Sequence, residues 1–318
     1  MNGRLLIGGG FFTHDQIAFG QLLTSNPLFH VTNIRSLEFD KSEGPIDEDF
    51  IVILGMKGMI RTLSKRGFRN RHIRQEIKSF FRQTLPRHSP LIIVDDFSLP
   101  QAKFMLKPML KFFSTEFNLR LYLLREYLSN GRYPNWIQPF SLPADSYPKL
   151  RVEIDEKNLQ YFFHGNASSR DRVTITKKLK SQSIGLKSHL VVTYGGIKNT
   201  VDRLSRDDYL SLMSRSKFCL DFSGSGYDCY RYHEIASVGS VIVSPNYPLV
   251  RQNDYKDMKS CIKYSSFRDL KVKIHKILDS DILLDDIIGC SVEHFERYHT
   301  SEKRTEEFLQ YISDVVHD

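Results

Sequence analysis

Short apolar runs alternate with amphipathic stretches through the first half of the chain. The runs LLIGGG, FHVTNI, FIVILG, LIIVDD and LRLYLL have the length of buried strands. Between the third and the fourth of them, RNRHIRQEIKSFFRQTL repeats Ile73, Ile77, Phe80 and Phe81 at helical spacing. Strands that alternate with helices predict a parallel sheet covered by helices on both faces.

The periodicity stops at IQPFSLPADSYPKLRVEI, a stretch that contains three prolines. It restarts with LQYFFHG, HLVVTYGG, KFCLDFSG and SVIVSP as strands, and the chain then becomes helical. We therefore predict two Rossmann-like α/β domains that face each other across a cleft. The expected bounds are 1–143 for the first domain, 144–290 for the second, and 291–318 for a helical tail that packs back on the first domain.

Length and cysteine spacing narrow the class of protein. A chain of 318 residues is too long for one ordinary core. No apolar run approaches the ~20 residues of a membrane span, and the N-terminus lacks the pattern of a signal peptide. The four cysteines show no CxxC spacing, which favours reduced thiols in a cytoplasmic protein over a zinc site.

The net charge of +8 comes from one segment. Between Arg61 and His88, nine basic side chains stand against Glu76 alone, and the rest of the chain balances at 36 basic and 36 acidic residues. One helical face of this segment is predicted to carry Arg71, Arg74, Lys78 and Arg82. Such a face is either solvated or engaged with an anionic partner, and both an anionic membrane and nucleic acid fit the second option.

The stretch FSGSGYDCYRYHEIASVGSVIVSP predicts a ligand site. Gly224 and Gly226 let the chain turn close to a ligand, and a helix follows with Asp228 as its expected N-cap. Arg231 offers a charged fork for phosphate, and Glu234 lies on the same helical face, where it can accept hydrogen bonds from two hydroxyls. Phosphate beside a diol describes a nucleotide. The alternative is a surface ion pair on a capped helix.

The wider segment LSRDDYLSLMSRSKFCLDFSGSGYDCYRYHEIASVGSVIVSPNYPL resembles the donor-binding core of GT-B glycosyltransferases, in particular the exostosin-like and CgeB-like group. In that group, too, an Arg-Glu pair follows the last strand of the first domain, as in LYLLREYLSNGRYPNW here. The resemblance implies a nucleotide-sugar donor, most plausibly a UDP-sugar, bound by the second domain, with the acceptor on the side of the first domain.

Carried over to this sequence, the resemblance assigns roles to individual residues. Arg231 would hold phosphate and Glu234 the ribose or the donor sugar, while Tyr227 and Asp228 would line the sugar pocket. The segment FFHGNASSRDRVTITKKL resembles the strand that opens the second domain of the group. There, an arginine after the glycine reaches the pyrophosphate. The matching residues here are Gly165, Arg170 and Arg172. One departure is that Gly226 replaces the second glutamate of many retaining enzymes.

Two positions are candidates for the base that deprotonates the acceptor. His14, with Asp15 beside it, follows the first strand, as a histidine base does in several inverting GT-B enzymes that the sequence resembles. Asp95 and Asp96 end a later strand and are the alternative base. Each of these groups has a simpler interpretation, because His14 can begin a helix and the aspartates can cap one.

Other cofactor chemistry is disfavoured by the spacing. GGGFFTHDQ places Thr13 where a dinucleotide fingerprint needs its third glycine. The chemistry of the GT-B enzymes that the sequence resembles does not need a metal, because a helix dipole and an arginine can stabilise the leaving diphosphate, and no tightly bound metal is expected.

We therefore expect a hexosyltransferase that acts on a hydroxyl of a cell-surface, secreted or lipid-linked glycan. The alternatives are a viral-type glucosyltransferase of DNA bases and a nucleotide- or glycan-binding protein without catalysis. The expected location is the cytoplasm, at a membrane surface or on DNA.

Overall fold

We describe a computed structural model of the chain. It describes residues 2–8, 17–34, 48–55, 71–95, 110–141, 143–181, 187–193, 204–224 and 226–317. Within 71–95, the side chains of residues 71–74, 76 and 77 are outside the description.

The described elements alternate between strands and helices. The strands are β1 Gly3–Gly8, β2 Phe29–Ile34, β3 Phe50–Leu54, β4 Leu91–Asp95, β5 Leu119–Leu124, β6 Ile137–Pro139, β7 Leu159–Asn166, β8 Lys187–Thr193, β9 Ser216–Leu220, β10 Val241–Pro245 and β11 Ile262–Tyr264. The helices are α1 Ile17–Thr24, α2 Arg71–Thr84, α3 Arg170–Lys180, α4 Arg206–Ser214, α5 Arg231–Ser237, α6 Phe267–Leu278, α7 Asp281–Tyr298 and α8 Ser301–His317. Residues 110–116 are also helical.

The chain divides into two compact units. Unit 1 contains residues 1–142, 249–252 and 304–318, and unit 2 contains residues 143–248 and 253–303. Unit 1 is therefore discontinuous in sequence. The helical tail contains the end of α7, at Tyr298, and all of α8. The boundary between the units lies between Lys303 and Arg304, so most of α8 belongs to unit 1.

The sheet of unit 1 is parallel, with the strand order β2-β1-β3-β4-β5-β6. Every residue of β3 and β4 is buried, because helices cover both faces of the sheet. One face packs against Phe80 and Phe81 of α2 and against the 110–117 segment. The other face packs against Phe308 and Ile312 of α8.

The sheet of unit 2 is also parallel, with the order β11-β10-β9-β7-β8. The strand order reverses between β7 and β9, since β7 pairs with β8 on one side and with β9 on the other. A reversal of this kind leaves a crevice at the carboxyl ends of the two strands, where ligands bind in open α/β sheets. The topology thus marks the ends of β7 and β9 as the candidate site.

Serine residues begin four helices of unit 2. Ser169, Ser205, Ser266 and Ser280 each accept a hydrogen bond from a backbone N–H in the first turn of the helix that follows. A serine at this position satisfies one of the amide groups that a helix start leaves without a partner. The sequence therefore fixes the starts of α3, α4, α6 and α7 locally.

Lys157 is a buried cation in unit 2, with 3% of its surface exposed. Its Nζ donates to the carbonyl of Ser214 at 2.5 Å, at the carboxyl end of α4, and to the hydroxyl of Ser240 at 3.4 Å. Burial lowers the pKa of Lys157 to about 8, although the neighbouring Cys219 opposes the shift. The lysine thus satisfies the end of a helix at a cost in solvation.

We predict that Lys157 makes stability depend on pH in the alkaline range. The folded pKa of about 8 lies below the ordinary value of 10.5, so the unfolded chain binds more protons between these values. The contribution of Lys157 to the unfolding free energy should therefore rise as pH rises through that window. The upper bound is about 3 kcal/mol, at about 1.4 kcal/mol for each pKa unit.

Urea unfolding of the parent protein and of Lys157→Met, near pH 7 and near pH 10, measures this contribution. The parent should gain stability relative to the variant at the higher pH. The exposed Lys180→Met variant is the control. It retains Lys157, so the difference in stability between it and the parent should be the same at both pH values. The prediction is contradicted if the stability of Lys157→Met changes with pH as that of Lys180→Met does.

Candidate functional site

The site lies at the carboxyl ends of β7 and β9, where the strand order of unit 2 reverses. The end of β7 supplies Gly165 and Asn166, and the loop after β9 supplies the glycine turn at 222–224. The first turns of α3 and α5 add Arg172 and Arg231. Parallel pairing of β7 with β9 brings these segments to the same edge of the sheet.

Arg172 links the glycine turn to the end of β7 through hydrogen bonds. Its Nε donates to the carbonyl of Ser223 at 3.0 Å, and its Nη2 donates to the carbonyl of Phe222 at 3.3 Å. Its Nη1 donates to Oδ1 of Asn166 at 2.8 Å. With only 5% of its surface exposed, Arg172 uses its donors on the protein itself and positions the loop.

Two of the three guanidinium nitrogens of Arg231 donate hydrogen bonds to the protein, and the third does not. Its Nε donates to the hydroxyl of Tyr209 at 2.7 Å, and its Nη2 donates to the carbonyl of His164 at 3.2 Å. Its guanidinium carbon lies 4.8 Å from the centre of the Phe163 ring. Its Nη1 is buried and has no hydrogen-bond partner among the residues that the structure describes. A buried donor of this kind costs free energy until a ligand accepts from it.

The two guanidinium groups meet at Gly165. A Cβ atom at this position would lie 3.4 Å from Nη1 of Arg172 and 3.4 Å from Nη2 of Arg231. It would also lie 3.1 Å from the Phe163 ring, so Gly165 permits a close approach that a side chain would obstruct. Burial lowers the pKa of Arg172, and the charge of Arg231 lowers it further, which reflects two like charges at short range.

The hydrogen-bond acceptors around these two cations are neutral in the described part of the chain. They are carbonyl groups, the Asn166 amide and the Tyr209 hydroxyl. Asp221 contributes a negative charge at longer range from a fully buried position, where Ser244 donates to it. Two adjacent guanidinium groups with neutral acceptors form a site for an anion with several oxygens, such as a phosphate.

The helix that follows the glycine turn begins later than the sequence predicted. Asp228 is not its N-cap, because α5 starts at Arg231 and the preceding Tyr230 makes no capping hydrogen bond with its side chain. Asp228 is buried instead, with 3% of its surface exposed. Since α5 has only seven residues, the anion site depends on the arginines rather than on the helix end.

Glu234 is fully buried beside the arginines. Its Oε1 accepts from Nη2 of Arg206 at 2.6 Å, and Arg206 also donates to the hydroxyl of Tyr147 at 3.0 Å. Sequence reasoning missed Arg206, Tyr209 and Tyr147. Arg206 precedes two aspartates at the start of α4 and has only the pattern of an ordinary helix start. Nothing in the sequence links it to a glutamate 28 residues later.

The ring of Tyr227 stacks on the ring of Tyr247 near the glycine turn. The two rings stack with centres 4.6 Å apart and planes inclined by 22°. The hydroxyl of Tyr247 accepts from the backbone N–H of Ser223 at 2.8 Å. The hydrogen bond fixes one ring of the pair against the same turn that Arg172 holds.

Of the remaining predicted site residues, three are described by the structure and three lie outside the described residues. Arg170 is exposed at the first position of α3, and Gly226 is buried in the loop before α5. Asp95 is the last residue of β4 in unit 1 and has no exposed surface. His14, Asp15 and Asp96 lie outside the described residues. Within the described ranges, no three His, Cys, Asp or Glu side chains form a group that could hold a metal ion.

The basic face of α2 is partly engaged with the protein itself. Nε and Nη2 of Arg82 donate to the two carboxylate oxygens of Glu116 at 3.1 and 2.6 Å. Lys78 and Arg82 also lie 5.1 and 5.7 Å from the centre of the Phe112 ring. The side chains of Arg71 and Arg74 lie outside the description. The side chain of Arg82 is 44% exposed and is already paired with Glu116, a partner of which the sequence carries no sign.

None of the helices that the structure describes combines the length and the apolar composition that crossing a bilayer requires.

Known proteins are similar to this chain in part of the sequence and in the fold. Residues 172–310 match the family model described as "Glycosyl transferase-like". This segment contains Arg172, Arg206, Arg231 and Glu234. No curated protein matches the sequence.

Solved structures resemble the whole chain. An α-glucosyltransferase in complex with UDP is 12% identical, covers 98% of this chain and 100% of its own, and has a TM-score of 0.56. An α-glucosyltransferase in complex with UDP-glucose and DNA containing an abasic site is 11% identical over 98% and 99% of the two chains, with a TM-score of 0.56. Anabaena HepE in complex with UDP and glucose is 9% identical over 99% and 100%, with a TM-score of 0.54. The predicted fold class, two Rossmann-like domains of the GT-B type, is confirmed.

We predict that replacing each of the two arginines has a different consequence. Arg231→Gln should weaken the binding of inorganic pyrophosphate by roughly 10- to 100-fold, because a charge-assisted hydrogen bond is worth about 1.5–3 kcal/mol. Its folding should change little, since Tyr209 and His164 can pair with the amide or with water. Arg172→Gln should weaken pyrophosphate binding and also lower the melting temperature, because the glycine turn loses the hydrogen bonds that Arg172 donates to it.

Isothermal titration with pyrophosphate and thermal unfolding of each variant measure the two effects. Lys177→Gln is the matched control, since this lysine is exposed in the last turn of the same helix as Arg172 and should behave like the parent. Equal pyrophosphate affinity in the parent and in Arg231→Gln would remove Arg231 from the site.

Proposed function

We propose that this protein transfers a sugar from a UDP-sugar to a hydroxyl group of an acceptor. The proposal rests on Nη1 of Arg231, a buried donor without a hydrogen-bond partner among the described residues. It lies beside Arg172 at the point where the strand order of unit 2 reverses. This arrangement suits the diphosphate of a nucleotide sugar. The match of residues 172–310 to a glycosyl transferase-like family and the GT-B fold support the same function.

The donor would lie across the residues already described. Its diphosphate would accept from Arg231, and its ribose would face Glu234, whose carboxylate Arg206 holds in place. Tyr227 would offer an apolar face to the sugar or to the base. The structures that bind UDP among the similar proteins favour uracil as the base of the donor. The finer resemblance to the exostosin-like and CgeB-like group remains a prediction.

The chemistry follows from the charge that develops on the leaving group. The acceptor oxygen attacks the anomeric carbon, the bond from that carbon to the diphosphate oxygen breaks, and UDP leaves with an additional negative charge. Arg231, already oriented by Tyr209 and His164, would stabilise this charge without rearrangement. The acceptor proton would pass to a base, for which His14 with Asp15 is our first candidate and Asp95 or Asp96 the second.

The acceptor we favour is a hydroxyl of a cell-surface, secreted or lipid-linked glycan. A second candidate is the glucosylation of a DNA base. The nine basic residues between Arg61 and His88 fit an anionic acceptor of either kind, and the similarity to an α-glucosyltransferase in complex with DNA supports the second candidate. A third option is a binding protein that has lost catalysis.

The proposal predicts both donor binding and turnover. Among UDP-, GDP-, CMP- and dTDP-sugars, a UDP-sugar should give the largest rise in melting temperature, because ligands that bind only the folded state stabilise it. Release of UDP should then depend on an added acceptor, either an oligosaccharide or duplex DNA with hydroxymethylated bases. Arg231→Gln should show neither effect. Donor binding without turnover on any acceptor would favour the binding protein.

The DNA candidate makes a separate prediction about the basic face of α2. Replacing Arg71, Arg74 and Lys78 with Gln should reduce the log–log salt slope of binding to duplex DNA by about 2.7, at about 0.9 for each lost phosphate contact. Replacing Arg82 as well should add little, because Glu116 already engages it. Fluorescence anisotropy with labelled DNA over a salt series measures the slope, and an unchanged slope would count against this face as a DNA contact.

A further inference from the structure

A second cationic surface lies on unit 2, on the outer side of α3 and α6. Lys178 of α3 and Lys271 of α6 approach the same aromatic ring, with Nζ atoms 5.1 and 5.9 Å from the centre of Phe267. The buried residues Ile175 and Leu179 show that α3 packs against the same core as α6. The two ammonium groups are therefore held close together on the outer surface of one layer of helices.

The outer face of α6 continues this surface. Its residues are Arg268, Lys271, Val272, His275, Lys276 and Asp279. The opposite face of α6 is fully apolar and buried, through Leu270, Ile274 and Ile277.

Within the described part of the chain, four cations of this surface form no ion pair with a carboxylate: Lys178, Arg268, Lys271 and Lys276. Asp269, the acidic residue of α6, pairs with Lys273 at 3.3 Å. Asp279, directly after α6, is the acidic residue of the surface itself. The surface therefore keeps a net positive charge, and it is separate from the arginines of the candidate site.

Two exposed apolar side chains lie on α6 or shortly after it in the chain. Val272 is on the outer face of α6 among the cations, with 62% of its surface exposed, and Ile282, at the start of α7, is 77% exposed. These are the two most exposed large aliphatic side chains in the part of the chain that the structure describes. Nucleic-acid phosphates gain nothing from such side chains. A lipid surface gains from both groups, because cations meet the headgroups and aliphatic groups enter the interface.

We propose that the outer face of α6, together with Lys178, docks unit 2 on an anionic membrane surface. Lys178, Arg268, Lys271 and Lys276 would lie at the level of the headgroups, and Val272 and Ile282 would enter the interface. The contact is weak and reversible, since it rests on a few cations and two small apolar groups. The inference goes beyond the proposed function and holds whether or not the protein transfers a sugar.

Vesicle sedimentation with the full chain tests the proposal. The parent protein should bind vesicles of phosphatidylcholine that contain phosphatidylglycerol, bind pure phosphatidylcholine much more weakly, and dissociate as salt is raised. Replacing Lys178, Lys271 and Lys276 with Gln should weaken binding by about 100-fold, at about fivefold for each basic residue near the surface. Val272→Ser with Ile282→Ser should weaken it by roughly five- to tenfold and leave the salt dependence unchanged.

A matched variant separates this surface from net charge. Replacing Lys256, Lys259 and Arg297 with Gln removes the same charge from exposed cations elsewhere on unit 2, and it should leave vesicle binding close to that of the parent. Thermal unfolding confirms that each variant is folded, which is expected because every replaced side chain lies on the surface.

Three outcomes would overturn the proposal. The parent could fail to bind anionic vesicles at low salt. The matched variant could lose as much affinity as the Lys178, Lys271 and Lys276 variant. Finally, the α6 cations could matter for binding duplex DNA and not for binding vesicles, which would assign this face to nucleic acid.

Discussion

The meeting of two guanidinium groups at Gly165 is the constraint on which the site depends. Like charges at short range repel, so the fold must hold each of them in place by other means. Arg172 is held by backbone carbonyls of the glycine turn, and Arg231 by Tyr209 and His164. The absence of a side chain at Gly165 and the Phe163 ring beneath it leave room for both groups.

The two arginines differ in how they use their hydrogen-bond donors. Arg172 is engaged with the protein and makes the loop rigid, whereas Arg231 retains a donor for a ligand. Because Arg231 is fixed before any ligand arrives, binding an anion requires little further ordering of that side chain. The pair of Arg206 and Glu234 follows the same principle, since a buried carboxylate is oriented by a cation from another helix.

The apolar runs predicted the strands, because buried parallel strands are continuous apolar segments. β2, β3 and β10 match their runs closely. β6 and β11 have only three residues each, too few for a periodic signal, and so they were not predicted. The glycine turn, Arg231 and Glu234 could be proposed as a site from the sequence because they lie close together in it.

Contacts between distant segments could not be predicted in the same way. The pairing of Arg82 with Glu116 and that of Arg206 with Glu234 depend on how helices pack against sheets. A single sequence carries no record of that packing. The expected cap at Asp228 failed for a related reason, since burial of its side chain prevails over the local preference for a helix start.

The discontinuity of unit 1 affects how the chain folds during synthesis. Phe308 and Ile312 complete one face of the unit 1 core, yet they are translated about 170 residues after β6, the last strand of the sheet that they cover. At the usual 5–20 residues per second, roughly 8–34 s pass between the two. Throughout this interval the part of the face against which Phe308 and Ile312 will pack stays uncovered, and transiently exposed apolar surface of this kind is prone to aggregation.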